Sequence, residues 1–308
     1  MPDHTLSRDD AHLHYDWDRD RDPVLTVESG ATVAFECRDS ANGELPRGAT
    51  VADLDAVEAP GHALTGPVAI EGATPGDTLA VDVLDVSHEG VGWTYVYPGE
   101  AGAGFLPEQF PEGRVYTWDL DGDVGQFVDG IEVPLDPFPG IVGLAPAEPG
   151  SHSTTPPRRV GGNLDVKHLT PGSTLFLPVE VAGGLLSVGD LHAAQGDGEV
   201  CITAIEMPGR ATVRVRLVDR DVDGPVFETD GPFEPVGGCP VIATSGVDPD
   251  HETAAREAVS GLVSRLHEEH GLDRLDAYML CSVAADLKVN EVVNGNVVVS
   301  AYLSRSLV

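Results

Sequence analysis

A glycine-rich run at residues 189–199 concentrates side chains that can bind a metal or transfer protons. It has the sequence Gly-Asp-Leu-His-Ala-Ala-Gln-Gly-Asp-Gly-Glu and follows an apolar, strand-like stretch at residues 173–186. Imidazole and carboxylate groups together suit a divalent metal, and they also suit acid–base chemistry near neutral pH. Glycines let the backbone approach a ligand closely. The run predicts a metal or acid–base site, and a polar β-hairpin tip is the simpler alternative.

Three other stretches place single polar residues beside apolar segments. Asp39 follows the strand-like segment 33–37, His62 precedes an apolar segment, and Asn163 and Asp165 come directly after the paired glycines 161–162. A lone Asp after a strand is more often a turn residue than a ligand, and a lone His is more often structural. These residues form a site only if the fold brings them together, and sequence spacing cannot prove that.

Several common enzyme signatures are missing from the sequence. It has no Gly-x-Ser-x-Gly elbow, no phosphate-binding loop, no dinucleotide fingerprint and no His-Glu-x-x-His helix. His12 and His14 have the spacing of two ligands on one strand, but metal binding there is the minor interpretation. The four cysteines form no Cys-x-x-Cys pair, so neither a zinc ribbon nor a disulfide framework is expected.

The charge of the chain is strongly negative and evenly spread. The formal net charge is −33, and Lys167 and Lys288 are the only lysines. This pattern is typical of proteins from a very salty cytoplasm, where screening removes self-repulsion. No basic face is available for nucleic acid, and no apolar run is long enough to cross a membrane. The acidic, polar N-terminal segment is unlike a signal peptide, so a cytoplasmic location is expected.

Short β-branched runs alternate with Gly- and Pro-rich turns through most of the chain. Strands are expected at 26–27, 32–35, 78–86, 174–181, 200–206 and 212–218, while residues 89–130 are interpreted as long loops that could wall a pocket. One long helix is expected, capped by Asp248 and ending at Gly271. A shorter helix is expected from Asp273 to Leu287, followed by a hairpin that turns at Asn294-Gly295.

These elements predict a mainly β fold, sandwich-like, with a smaller α+β portion near the C-terminus. The breaks in regular structure between residues 134 and 162 suggest two parts. One is a β-rich part at 1–150, and the other is a part at 151–308 that holds the metal-site motifs and the C-terminal α+β segment. A single intertwined domain is the alternative.

The sequence resembles the acetamidase/formamidase family of amidases over nearly its whole length. The resemblance lies in the run 189–199 and in further segments, namely Pro23, 33–39, 62–67, 71–77, 137–140, 161–165, 204–206, 277–282 and 286–287. It implies a β-rich hydrolase that releases ammonia from small amides, with a divalent metal, expected to be zinc with calcium as the alternative. A homodimer is also implied by the family.

Under this resemblance the site residues take provisional roles. The metal ligands are drawn from Asp39, His62, Asp165, His192 and Glu199. Glu199, Asp197 and His192 are the candidates for proton transfer, and Gln195 and Asn163 are the candidates for orienting the substrate amide. A bound metal would polarise the amide carbonyl and lower the pKa of water from about 16 toward about 7.

Three alternatives remain open from the sequence. The enzyme could open cyclic amides (lactams), or the protein could be a non-catalytic β-sandwich that binds a metal. It could also be a hydrolase with Cys281 or Cys37 as nucleophile. The last alternative is disfavoured because no histidine lies near either thiol in sequence to activate it.

The charge pattern generates a prediction about stability. Lowering the salt concentration from molar to tens of millimolar should lower the thermal unfolding temperature, because the repulsion among the acidic residues is no longer screened. Calorimetry over a salt series measures this effect. An unchanged unfolding temperature across the series would refute halophilic adaptation.

Overall fold

The computed structural model describes residues 1–99, 104, 111–127, 132–199, 201–229, 240–272, 274, 277 and 285–308. Up to residue 134 the strands are β1 (His4–Leu6), β2 (Leu13–His14), β3 (Asp16–Trp17), β4 (Leu25–Val27), β5 (Thr32–Cys37), β6 (Leu64–Ile70), β7 (Thr78–His88), β8 (Val91–Val96), β9 (Arg114–Asp121), β10 (Val124–Gln126) and β11 (Glu132–Pro134). The later strands are β12 (Phe138–Gly143), β13 (His152–Ser153), β14 (Gly161–Asn163), β15 (Ser173–Pro178), β16 (Leu186–His192), β17 (Glu206–Met207), β18 (Gly209–Val218), β19 (Val226–Thr229), β20 (Val241–Asp248), β21 (Asp286–Glu291) and β22 (Val297–Ser304). The α-helices whose bounds lie within the described residues are α1 (Val51–Leu54) and α2 (His251–His270).

Most strands belong to two large sheets. The first has nine strands in the order β1-β5-β18-β7-β15-β19-β20-β22-β21. The second has eleven strands. Its main path is β11-β10-β9-β8-β17-β16-β12-β14, and β6 pairs with β16 and carries β2 and β4. Both sheets contain strands from before and after residue 150, and we propose that the two predicted parts form the single intertwined domain.

The two sheets enclose one apolar core. Phe35 and Val213 of the first sheet belong to the same buried cluster as Val142, Val188 and Leu191 of the second. This arrangement confirms the predicted mainly β, sandwich-like fold. The strands expected at 26–27, 32–35, 78–86 and 212–218 are present, and 174–181 is strand up to Pro178.

The α+β portion near the C-terminus is also present. Helix α2 packs its buried side chains, including Ala258 and Leu262, against Ile242 and Leu303 of the first sheet. The helix ends at Gly271, whose φ of 72° is the left-handed conformation that glycine adopts most easily. The N-cap is Asp250 and not Asp248, because the Asp250 carboxylate accepts the Thr253 amide at 2.9 Å.

Three sequence expectations about secondary structure are wrong. Residues 89–130, interpreted as loops, contain β8, β9 and β10. The strand expected at 200–206 is absent from residues 201–205, where Ile202 has a φ of 75° and its amide closes a turn onto Glu199. The shorter helix cannot reach Leu287, because Asp286–Glu291 pairs with β22. Most of the rest of that helix lies outside the described residues, although Arg274 and Ala277 are helical.

The predicted hairpin is confirmed, since β21 and β22 are antiparallel and the turn between them contains Asn294 and Gly295. In the part of the chain that the structure describes, no helix is both long and apolar enough to span a bilayer.

His14 is a structural residue. Its Nδ1 lies 2.7 Å from the Asp16 carbonyl and therefore donates to it, which leaves Nε2 to accept from the Ser187 hydroxyl at 2.8 Å. One nitrogen donates and the other accepts, which is the pattern of a neutral imidazole. Burial lowers the pKa of His14 to about 4.

This burial predicts a pH-dependent loss of stability. Between pH 6.5 and 4 the unfolded chain binds a proton at His14 that the folded chain does not, so the free energy of unfolding falls as the pH falls. The full effect is about 3 kcal/mol, since one pKa unit corresponds to about 1.4 kcal/mol. His14→Gln should flatten this slope in urea titrations at pH 7, 6 and 5. Identical slopes for the variant and the wild type would contradict the assignment.

Candidate active site

His192 ends strand β16 and lies at the centre of a buried acidic cluster. Asp190 lies two residues earlier on the same strand. Glu206 of β17 lies directly opposite His192 in the sheet register. His192 Nε2 is 3.5 Å from Asp190 Oδ1 and 3.3 Å from Glu206 Oε2. The three side chains therefore point their polar atoms at one place.

Two further acids reach His192 from loops. Asp165 follows β14, and its Oδ1 is 3.8 Å from His192 Nδ1. Glu199 lies in the loop after β16, and the polar atoms of Asp165, His192 and Glu199 lie within 4.8 Å of one another. The φ values of Asp165, Asp190 and Glu199 are 48°, 53° and 45°. Positive φ is unfavourable for these residues, so the surrounding structure holds three of the four acids in strained backbone conformations.

Gln195 determines which nitrogen of His192 carries the proton. Its Nε2 donates to the Asp165 carbonyl at 2.8 Å, so its Oε1 is the atom that faces His192 Nδ1 at 2.9 Å. An amide oxygen only accepts, and Nδ1 must therefore donate. In the neutral ring this leaves the lone pair on Nε2, which faces Asp190 and Glu206. A metal-binding histidine is commonly oriented in this way through its second nitrogen.

Gly140 in β12 leaves room for the cluster. A Cβ atom on this residue would lie 2.7 Å from both Asp165 Oδ1 and His192 Cε1, and 2.9 Å from the Asp190 carbonyl oxygen. These distances are shorter than any normal contact. Only glycine at this position allows the pair Asp190 and Glu206 and the pair Asp165 and Glu199 to lie around the same imidazole.

The buried carboxyl groups shift one another's protonation. Burial, together with the nearby Asp165 carboxylate, raises the pKa of Glu199 well above its usual range. Burial raises the pKa of Glu206 to about 7 despite the opposing effect of His192, and burial likewise raises that of Asp165. Burial alone would lower the pKa of His192, but the Glu206 and Asp190 carboxylates outweigh it and raise that pKa well above 6.5. The raised pKa values mean that protons bind more readily to these groups, which lowers the net negative charge of the cluster.

Several buried polar atoms of the cluster have no hydrogen-bond partner within the described residues. They are Asp165 Oδ1, Asp190 Oδ1, His192 Nε2 and Glu199 Oε2. Leaving such atoms unpaired costs about 1–3 kcal/mol each, so their convergence points to a bound cation. Zinc bonds of about 2.0–2.2 Å place tetrahedral ligand atoms about 3.3 Å apart, close to the spacing around His192 Nε2. The mixed nitrogen and oxygen donors suit zinc, whereas calcium prefers oxygen alone.

A small cavity of about 150 Å³ opens onto these acids. Its walls include Ser40, His62, Tyr95, Tyr97, Asn163, Asp165, Asp190, Glu199, Thr203, Glu206 and Asn294. Asn163 is buried and donates through Nδ2 to the Thr155 carbonyl at 3.1 Å, while its Oδ1 has no partner within the described residues. Drug-sized pockets measure about 300–1,000 Å³. The cavity therefore fits only a small ligand, and Asn163 Oδ1 can accept a hydrogen bond from it.

The structure brings together some of the sequence-predicted residues and not others. Asp165, His192 and Glu199 meet in the cluster, and Asn163 and His62 line the cavity. His62 Nδ1 lies 3.0 Å from the Thr154 hydroxyl, and His62 is in neither ligand group found among the described residues.

Three predicted residues have other contacts. Asp39 Oδ1 accepts the amides of Ala41 and Gly43 at 2.9 and 3.1 Å, which stabilises the turn after β5. Asp197 pairs with both lysines, and Gln195 contacts His192 as described above. None of the three is among the residues that line the cavity.

Sequence reasoning missed Asp190 and Glu206 as site residues. The sequence pattern predicts no strand at 186–192, whereas β16 covers Leu186–His192. A strand assigned there carries Asp190 and His192 at i, i+2 spacing, which is the signal that could have found Asp190. Glu206 carries no local signal, because only sheet pairing places it opposite His192.

The cysteine alternative finds no support in the described residues. Cys37 is buried, and burial raises the pKa of its thiol to about 12, so it is not a thiolate at neutral pH. Cys281 lies outside the described residues.

Comparison with known proteins gives a consistent result. The model of the acetamidase/formamidase family matches residues 2–150 and 147–307. An acetamidase from Mycolicibacterium smegmatis is 31% identical over 280 residues, covering 70% of this chain and 69% of that protein. The solved acetamidase of Bacillus halodurans superimposes with a TM-score of 0.86 at 30% identity over 98% of both chains. A gamma lactamase from Delftia acidovorans gives a TM-score of 0.69 at 27% identity over 98% of this chain and 93% of that one.

The close approach at Gly140 predicts a sensitive position. Gly140→Ala should displace Asp165 or His192, weaken zinc binding at least tenfold and lower the free energy of unfolding by about 1–3 kcal/mol. Competition titration with a zinc chelator and urea unfolding measure the two effects. Gly224→Ala is the matched control, because its new Cβ would meet only the Ser245 carbonyl at 3.9 Å. Equal zinc affinity in the two variants would contradict the steric argument.

Proposed function

The chain belongs to the acetamidase/formamidase family, and on that premise we propose that it hydrolyses the carbon–nitrogen bond of small linear amides. The products are ammonia and a carboxylate. The observation that carries the proposal is the cavity of about 150 Å³, which is lined by four buried acids and by Asn163, whose Oδ1 has no hydrogen-bond partner within the described residues. A short amide fits in a space of this size and offers N–H donors for that oxygen.

We propose zinc as the cofactor, held by His192 Nε2 with Asp190 and Glu206. Gln195 supports this set because it occupies Nδ1 and leaves Nε2 available. Bound zinc would polarise the substrate carbonyl and make water a better nucleophile at neutral pH. The alternative set of Asp165, His192 and Glu199 shares the same imidazole, and a carboxylate from either set can complete the site.

The acids that do not hold the metal move the proton. Burial and the neighbouring Asp165 carboxylate raise the pKa of Glu199 well above its usual range, which suits a group that accepts a proton and returns it during the reaction. Glu199 therefore takes a proton from the attacking water and gives it to the departing nitrogen, which leaves as ammonia. Asn294 donates to Asp165 Oδ2 at 3.4 Å and holds that carboxylate beside Glu199.

Asn163 orients the substrate. Its Nδ2 donates to the Thr155 carbonyl, so its Oδ1, which has no partner within the described residues, is left as an acceptor for the amide NH₂ group. Tyr95 and Tyr97 wall the same cavity, and their rings meet edge to face at 5.4 Å. Together these residues select a planar amide with a short acyl group.

Lactam hydrolysis is the second candidate function, and the structural similarity to a gamma lactamase favours it. A lactam releases no ammonia because its amine stays attached to the acyl chain. The small cavity favours short linear amides over this alternative.

We also propose a halophilic, cytoplasmic homodimer. The net charge of −33 supports the first property. Free Cys37 and Cys201 support a reducing compartment. The dimer is an expectation from the family and is checked by light scattering at molar salt.

The proposed function predicts metal-dependent ammonia release. Purified protein should release ammonia from formamide, acetamide or propionamide, lose that activity after dialysis against a chelator and regain it with zinc but not with calcium. A coupled ammonia assay with metal analysis of the same sample measures both quantities, and a lactam is included as a second substrate class. Full activity in metal-free protein would eliminate the zinc mechanism. Opening of the lactam without any ammonia release from linear amides would favour the second candidate.

A further inference from the structure

Both lysines of this chain contact the same carboxylate oxygen. Lys288 Nζ is 2.7 Å and Lys167 Nζ is 3.1 Å from Asp197 Oδ2. The chain has 18 lysines and arginines in total, so every other such cation is an arginine. The sequence has no other lysine, and both of its lysines contact one atom of the 189–199 run. This placement indicates that lysine has a specific role there.

The chemistry of the contact explains the choice of lysine. An ammonium group is a compact charge, so two of them can donate to one carboxylate oxygen from different directions. A guanidinium is a planar fork that tends to engage both carboxylate oxygens at once. Two arginines would therefore compete for Asp197, whereas two lysines share it.

The three charged residues join the three segments that build one wall of the site. Lys167 follows Asp165 by two residues, Asp197 lies between Gln195 and Glu199, and Lys288 precedes Asn290 of β21 by two residues. The same segments are also joined by backbone groups. The Gly198 amide donates to the Asn290 carbonyl at 3.1 Å, and Gln195 Nε2 donates to the Asp165 carbonyl at 2.8 Å.

The loop that carries Glu199 needs such support. Among the described residues between His192 and Glu206 there is no strand, only an isolated bridge between Gly198 and Glu291, and Glu199 itself holds an unfavourable φ of 45°. The side chains of Lys288, Lys167 and Asp197 are only 17%, 27% and 33% exposed, so salt screens their attraction less than it screens a surface pair. The contact can therefore persist in a very salty solution.

We propose that Lys167, Asp197 and Lys288 form a lysine clamp that positions Glu199 and Gln195 against Asp165 and His192. These three are positioning residues, since none of them lines the cavity. The clamp rests on the proposed function in that Glu199 is the group it positions for proton transfer. Asp197 thereby takes a positioning role instead of the proton-transfer role that the sequence suggested.

The test compares Asp197→Asn, Lys288→Met and the double variant with the wild type in the amide assay. Each single variant should lower kcat about tenfold and leave KM within about twofold, because Glu199 is displaced while Asn163 lies on a different segment. The double variant should be no slower than Asp197→Asn alone, since that single variant already breaks both lysine contacts. Arg216→Met is the matched control. It breaks a partly buried ion pair with Asp82, 2.7 Å long, on the other sheet, and should leave kcat unchanged.

Hydrogen exchange supplies a readout that does not depend on activity. Peptides covering residues 193–199 should exchange faster in the clamp variants, while peptides from β7 and β18 should not change. Lys167→Met, at the more exposed of the two lysines, replaces Lys288→Met if the latter does not fold. Wild-type kcat in Asp197→Asn, or unchanged exchange in residues 193–199, would overturn the clamp. If the wild-type protein hydrolyses no amide, the proposed function fails by itself, and the exchange experiment alone decides the clamp.

Discussion

The concentration of buried negative charge around the single imidazole of His192 is the constraint on which the rest of the structure depends. Asp165, Asp190, Glu199 and Glu206 all lie out of contact with bulk water. Ionised carboxylates so close together in a medium of low dielectric repel one another strongly. Such an arrangement persists only if protons or a bound cation compensate it and if the surrounding structure prevents the acids from moving apart.

The sheets prevent the acids on one side of the site from moving apart. Strand β16 is buried along its whole length and is paired with β6, β12 and β17, so Asp190 and His192 project from a strand that is held by several neighbouring strands. The opposite wall is made of loops, and it is fixed by specific contacts. Gln195 joins His192 to the Asp165 backbone, and Asn294 of the C-terminal hairpin reaches the Asp165 carboxylate. The site thus combines a rigid sheet edge with loops that are held in place by polar groups.

The surface and the site use charge in opposite ways. The whole chain carries a formal net charge of −33, and the repulsion among its exposed acidic residues is reduced by salt. The acids of the site are buried beyond the reach of that screening and must be compensated locally. Lysine, nearly eliminated from the chain, is retained where Asp197 anchors the loop that carries Glu199. Under the proposed halophilic adaptation and the proposed lysine clamp, salt cations screen the surface acids, whereas the two lysines hold Asp197 beside the site.

The sequence by itself predicted the fold class and the family, because alternating apolar residues, turn glycines and a long specific motif are local properties of the chain. It also proposed Asp165, His192, Glu199 and Asn163 as site residues, and the structure brings these four together. Only the tertiary structure decided that Glu206 faces His192 and that Gly140 leaves room for the acids. It also decided that Asp39 accepts backbone amides and that Asp197 pairs with the two lysines. Those facts depend on strand register and on contacts between distant segments, which arise from packing and leave no mark in local sequence.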